Sequence, residues 1–229
     1  MSDDLARVMA VSAVLCDMDG TLVDSAEAIT SAWDSFARRY GLDSALVSGL
    51  LPGRTARDII ATAMGNRPID LTAELERLRQ DQLRSEPAVR AILGAARLLR
   101  SLSSGQWALV TAATTDVARH RMTQAGLPLP DVIVSGDDVT AGKPDPQGFT
   151  LAARRLGVDP RECLVLEDSL PGVQAARAAG ARVVGIGETS GAALAIPDLR
   201  RTYIEATATG DGMRINVRPR TERTGPIRT

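Results

Sequence analysis

Aromatic residues are scarce in this chain: two each of Trp, Tyr and Phe account for 3% of 229 positions. A core must therefore be built from Ala, Leu, Val and Ile, the mix expected of helices packed on a buried sheet. An excess of positive charge is also missing. Lys and Arg total 27 against 28 for Asp and Glu, a net charge of -1, so no basic field draws in nucleic acid or an anionic membrane. No apolar run reaches the roughly 18 residues that would span a bilayer. Residues 1–9 carry Asp3, Asp4 and Arg7 in place of the basic-then-apolar order of a secretory signal. The expectation is a cytoplasmic protein without nucleic-acid or membrane partners. The only two cysteines, Cys16 and Cys163, lie in apolar runs without metal-ligand spacing and read as buried small hydrophobes in a reducing compartment.

What is present is an ordinary globular composition, 44% hydrophobic and 24% charged, long enough for one domain or one domain with a smaller insertion. Short apolar runs at 13–16, 107–110, 132–134, 163–166 and 182–186 alternate with helical patterns at 94–102, 115–125, 147–156 and 173–179. Strand alternating with helix predicts an α/β fold, a doubly wound parallel sheet covered on both faces, with ligands beyond the carboxyl ends of the strands. From about Asp24 to Arg90 no strand is expected. Ile29, Trp33, Phe36 and Tyr40 share one helical face, with Asp24 and Glu27 as a capping-box-like start and Gly41 as the stop. Residues 55–64 and 71–83 read as two more helices. An all-helical insertion after the first strand is expected, able to serve as a lid. Residues 202–209 and 213–217 flank Gly210-Asp211-Gly212 as a terminal hairpin, and 218–229 are expected to fray.

Four clusters close these apolar runs. Asp17 and Asp19, two apart as the chain leaves its first strand, can both point into one pocket, and Gly20 permits a tight turn. Thr111 ends the second strand; its hydroxyl can bind a phosphate oxygen or cap the next helix, a task for which Thr114 and Thr115 compete. Lys143, the only lysine in the chain, stands in Gly142-Lys143-Pro144-Asp145-Pro146, a loop stiffened by two prolines. A fixed ammonium there could neutralise a carboxylate and a phosphate together. Glu167 and Asp168 end a further strand, either as hard oxygen ligands for Mg²⁺ beside Asp17 and Asp19 or as caps for the following helix.

The order Asp-x-Asp-Gly-Thr, Thr, Gly-Lys-Pro, Glu-Asp, each closing an apolar run, resembles the haloacid dehalogenase-like superfamily of phosphohydrolases over residues 11–200. The resemblance implies a Rossmann-like core from 1–22 and 91–217 with a helical cap domain at 23–90. It further implies an Mg²⁺-dependent phosphomonoesterase in which Asp17 becomes an aspartyl-phosphate and Asp19 is the proton donor and then the base. Thr111, Lys143 and the backbone at Ala112 would hold phosphoryl oxygens. Mg²⁺ would be held by Asp17, the Asp19 carbonyl and Asp168, with Glu167 direct or through water. Gly53-Arg54-Thr55 looks like the cap segment of phosphatases acting on small sugar and polyol phosphates. Arg54 would grip the substrate there, or else pair with Asp58 on the surface. Ala112-Ala113 stand where many relatives carry Ser or Asn followed by Gly.

The partner expected is therefore a small phosphomonoester, for a monomer or weak homodimer. Two other functions share these residues. A sugar-phosphate mutase would return the phosphoryl group to sugar, and a non-catalytic module would bind a phosphorylated metabolite without turnover.

Overall fold

Residues 13–16 are apolar without a break, which suits a strand covered on both faces, and all four are buried. The computed structural model describes residues 7–84, 89–187, 192, 194–196, 199, 205–209 and 212–217. In chain order the elements are β1 (Arg7–Val11), β2 (Ala13–Cys16), β3 (Val23–Asp24), α1 (Ala26–Tyr40), α2 (Ser44–Ser48), α3 (Ala56–Met64), α4 (Leu71–Leu83), β4 (Arg90–Ala91), α5 (Ala95–Ser101), β5 (Trp107–Val110), α6 (Thr115–Gln124), β6 (Val132–Val134), α7 (Gln147–Leu156), β7 (Cys163–Glu167), α8 (Leu170–Ala178), β8 (Arg182–Ile186), β9 (Ala195–Ile196), β10 (Glu205–Thr209) and β11 (Gly212–Val217).

The main sheet runs β6-β5-β2-β7-β8-β9, and its strand pairs are all parallel. Side chains alternate across it. Ala13 and Leu15 join Ala108, Val110 and Val165 under α7 and α8, where Phe149, Ala152 and Ala175 are buried. Val14 and Cys16 face the other way, with Leu109, Leu164 and Leu166, under Leu98 and Leu99 of α5 and Met122 of α6. Helices thus cover both faces, as the alternating pattern requires. Both cysteines are free and buried; burial raises the thiol of Cys163 to about 11.

The helical insertion has a hydrophobic cluster of its own. Trp33, Phe36, Val47, Ile60, Met64 and Leu78 pack together, with the Phe36 ring centroid 5.5 Å from that of Trp33 and 5.1 Å from that of Tyr40. The buried Glu74 of α4 accepts hydrogen bonds from Arg39 and Tyr40 at the end of α1, which ties those two helices together.

Several details differ from the sequence expectation. The insertion is entered and left through a short antiparallel ribbon, with Val23 opposite Ala91 and Asp24 opposite Arg90. Asp24 lies in this ribbon, so it does not cap α1; Ser25 occupies the N-cap position and makes no side-chain capping bond. α2 was not expected; Asp43 caps it. β1 was also missed and pairs antiparallel with β11, far along the chain. β10 and β11 form the expected hairpin, but 202–204, 210–211 and the tail 218–229 lie outside the described residues. α8 starts at Leu170 rather than 173, because the Ser169 hydroxyl accepts from the Gly172 amide and Pro171 suits the first turn.

Phe36 is fully buried, so Phe36→Ala is expected to cost about 3–5 kcal/mol, measurable as a lower urea midpoint. A loss under about 1 kcal/mol would show that this cluster collapses around the void.

Candidate active site

Parallel strands deliver their carboxyl ends to one edge, and the backbone holds the first residues beyond them. The Asp17 amide donates to the Leu166 carbonyl and the Thr111 amide to the Val134 carbonyl, each extending a ladder past the end of its strand. Beyond Asp17 the chain turns sharply: the amides of Thr21, Leu22 and Val23 all donate to the Met18 carbonyl. Gly20 turns there with φ +84, and a Cβ on it would lie 2.0 Å from an Asp168 oxygen. Only glycine admits both that backbone and that approach. The Thr21 hydroxyl in turn donates to Asp168, at 3.3 Å.

Lys143 reaches into this edge from the loop after β6. Its ammonium donates to Asp17 at 2.5 Å and to Glu167 at 2.7 Å, and it lies 5.3 Å from the centre of the Phe149 ring. The second Glu167 oxygen accepts from the amide and hydroxyl of Ser169. A Cβ on Gly172 would meet Glu167 at 2.0 Å, so that glycine makes room for the carboxylate. Glu167 therefore does not cap α8 itself; it fixes the residue that does, as well as the lysine.

Asp17, Glu167 and Asp168 bring carboxylate oxygens within 4.8 Å of one another. Three carboxylates against one ammonium leave negative charge uncompensated. Burial, and then Glu167 alongside, raise the Asp17 carboxyl well above the usual range although Lys143 opposes them. Burial and Glu167 likewise push Asp168 up to about 7. Burial alone would lower Lys143, but Asp17 and Glu167 outweigh it and raise it. Closely spaced hard oxygen donors with surplus negative charge suit a divalent cation such as Mg²⁺.

Asp19 stands outside that carboxylate cluster. One of its oxygens accepts from Ser25 at 2.6 Å, and the Arg121 guanidinium bonds both oxygens at 2.9 and 3.0 Å. Arg121, on α6, is 2% exposed. Sequence reasoning missed it, although its position with Val117, Ala118 and Met122 on the buried face of α6 marks a charge in an apolar stripe.

Thr111 and Ala112 line a cavity with Lys143, Ser135, Gly53 and Thr55. The Thr111 hydroxyl accepts from the Ala113 amide, and Thr114 rather than Thr115 is at the N-cap of α6, without a side-chain capping bond. Gly53 is held at the rim, where a Cβ would lie 2.8 Å from Pro171 and 3.1 Å from Lys143. Arg54 beside it is exposed. Its suggested ion pair with Asp58 is not formed, because the Asp58 carboxylate accepts from the Thr55 hydroxyl at the start of α3 instead.

The doubly wound sheet carries an acidic cluster at the carboxyl ends of its strands, where proteins of this architecture bind their ligands. A sequence model of the haloacid dehalogenase-like hydrolases matches residues 11–180, and the chain belongs to that family. It is 39% identical to hexitol phosphatase A of Escherichia coli (strain K12) over 175 residues, covering 75% of this chain and 81% of that protein. It is 37% identical to validoxylamine A 7'-phosphate phosphatase of Streptomyces hygroscopicus subsp. limoneus, over 81% of this chain and 90% of that one. Among solved structures it is similar to CbbY from Rhodobacter sphaeroides in complex with phosphate, with a TM-score of 0.74 and 25% identity over 83% of this chain and 95% of that one. Among the described residues no helix is long and apolar enough to cross a membrane.

The raised carboxyls carry a sign that can be measured. A carboxyl that folds with its pKa raised favours the folded state below its unfolded value, near 4, and loses that advantage as pH rises through its folded value, about 7 for Asp168. A cation must displace those protons. The rise in Tm on adding Mg²⁺ is therefore expected to grow between about pH 5.5 and about pH 8. A rise independent of pH would mean that the cluster is already ionised.

Proposed function

We propose that this protein hydrolyses the phosphomonoester of a small polyhydroxylated metabolite, a sugar or polyol phosphate, using Mg²⁺ and an aspartyl-phosphate on Asp17. The observation that carries this reading is the Asp17 carboxylate at the end of the central strand, held by Lys143 and within reach of Asp168. A nucleophilic carboxylate must be ionised and must approach an anion, and a buried ammonium at its side helps with both. The names of the relatives support the substrate class: a hexitol phosphatase, a validoxylamine A 7'-phosphate phosphatase and a phosphorylated carbohydrates phosphatase.

The chemistry runs in two displacements. An Asp17 oxygen attacks phosphorus, the P–O bond to the leaving alcohol breaks, and Asp19 gives that alcohol its proton. Asp19 then takes a proton from water, whose oxygen attacks the same phosphorus and expels the Asp17 carboxylate, leaving inorganic phosphate. Thr111, Lys143 and the backbone at Ala112 hold phosphoryl oxygens. Asp17, Asp168 and the Asp19 carbonyl are the residues to hold Mg²⁺, which when bound draws charge from the transferring phosphoryl group. Glu167, whose oxygens already accept from Lys143 and Ser169, orients the lysine and would face the cation directly or through water. Residues 23–90 act as a cap over a core formed by 1–22 and 91–217, and Arg54 at the rim grips the substrate when the cap is seated.

A panel of glucitol, glycerol and hexose phosphates assayed for inorganic phosphate release tests this reading. Release is expected in Mg²⁺ and should cease with a chelator. Asp17→Asn should lower turnover at least about a thousandfold with the fold intact by circular dichroism. Conversion between sugar phosphate isomers without phosphate release would identify a mutase, and binding without turnover would identify a sensor.

A further inference from the structure

The chain has only two phenylalanines. Phe36 belongs to the cluster of the insertion. Phe149, in the first turn of α7, has the Lys143 ammonium over its ring, 5.3 Å from the centre. The residue is 1% exposed and packs with Val110 and Val134 at the ends of β5 and β6 and with Ala152 of its own helix. The turn that carries it is seated tightly on the sheet, since a Cβ on Gly148 would lie 3.2 Å from Val110.

Lysine and ring belong to one closed stretch of chain. The Gln147 side-chain oxygen accepts from the amides of Thr140 and Ala141, and the Asp145 amide donates to the Gly142 carbonyl. The Asp145 carboxylate in turn accepts from the Gln147 amide. These bonds close residues 140–147 into a loop around Lys143 and join it directly to the turn that holds Phe149. The spacing of ammonium and ring is thus set locally.

An ammonium has three donors. Two of those on Lys143 go to Asp17 and Glu167, and no third acceptor among the described residues takes the last. A further carboxylate would complete the set, but it would occupy that donor and repel an incoming phosphate. The face of an aromatic ring carries partial negative charge and attracts a cation within about 6 Å of its centre. At 5.3 Å it acts on the charge without coming to hydrogen-bond distance. Phe149 therefore compensates the buried cation from one side and leaves its last donor open. Thr111 and Ala112 line the same cavity as Lys143 and Phe149.

We propose that Phe149 is a positioning residue: the face of its ring holds the Lys143 ammonium against Asp17 and Glu167 with one N–H kept for a phosphoryl oxygen. This rests on the reading of Lys143 as a ligand of the phosphoryl group.

Fluorine withdraws negative charge from the face of the ring while its shape and apolar character stay nearly the same, which separates this role from packing. The test replaces Phe149 with 4-fluoro-, 3,4,5-trifluoro- and pentafluorophenylalanine. In Mg²⁺, kcat/KM is measured for the sugar or polyol phosphate of the panel that is cleaved fastest. It is expected to fall stepwise with fluorine count, by about tenfold at pentafluorophenylalanine. Competitive inhibition by inorganic phosphate should weaken in the same order, with Tm within about 2 °C of the wild type. Phe149→Leu removes the face and should lose about tenfold in kcat/KM, together with a lower Tm.

A flat fluorinated series would make Phe149 a packing residue and overturn the proposal. So would a loss that follows Tm instead of fluorine count, or a loss of kcat/KM with unchanged phosphate inhibition. The fluorinated proteins keep the test decisive if Phe149→Leu fails to fold. Lys143→Met separates the two readings. Unimpaired turnover in that variant would remove Lys143 from the phosphoryl site, and this proposal with it. Lost turnover there beside a flat fluorinated series would overturn only this proposal.

Discussion

Lys143 lies with its ammonium between Asp17 and Glu167, and much of the local architecture serves that contact. A buried charge is costly unless paired, so the lysine and its two carboxylates are stable in this place only as a set. Glu167 keeps one oxygen on the lysine because Ser169 holds the other. Ser169 is itself fixed as the cap of α8. The bare face of Gly172 and the face of Phe149 complete the enclosure. The turn from β7 into α8 thus sets where the ammonium from the loop after β6 rests, and that in turn sets how the Asp17 carboxylate just beyond β2 is held.

The parallel sheet explains why these groups meet at all. β2 lies between β5 and β7, and their register sets Asp17, one past its end, level with the last residues of both neighbours, Val110 and Glu167. The ladder bonds that continue to Asp17 and Thr111 make the first layer of the site part of the sheet rather than of a mobile loop. The insertion, by contrast, is joined through a ribbon of two residue pairs and carries a hydrophobic cluster of its own. The strand-end carboxylates are thus held by the sheet, while the insertion packs around a cluster of its own.

Features encoded within one element could be read from the sequence. The helix over 71–83 has its apolar spacing inside itself, and Thr55 caps α3 from the adjacent position. Asp17, Glu167 and Asp168 were visible because each follows an apolar run, where the topology places ligands, and Lys143 because it is the only lysine and stands in a loop stiffened by two prolines. Features that depend on competition across the fold could not be read. Asp24 looked like a helix cap because nothing local shows that it pairs in a ribbon with Arg90. The hydroxyl of Ser25 is drawn to Asp19 and away from helix capping. β1 finds its partner some two hundred residues later, beyond any local pattern. Arg121 is an intermediate case: a guanidinium on an apolar face was visible, but its partner, a carboxylate a hundred residues earlier, was not.

The choice of cation at the two acidic positions has a physical reason. At Lys143 a compact ammonium, with three donors on a rotating head, bonds two carboxylates at once. A planar guanidinium would prefer to lock one carboxylate in a bidentate pair. At Arg121 the need is the reverse: two partners on different elements, held at fixed directions from one side chain. A fork does this, and a point charge does not. The chain uses arginine for every other cation and lysine only at position 143, so the exception falls where the charge must be shared among anions rather than aimed at one geometry.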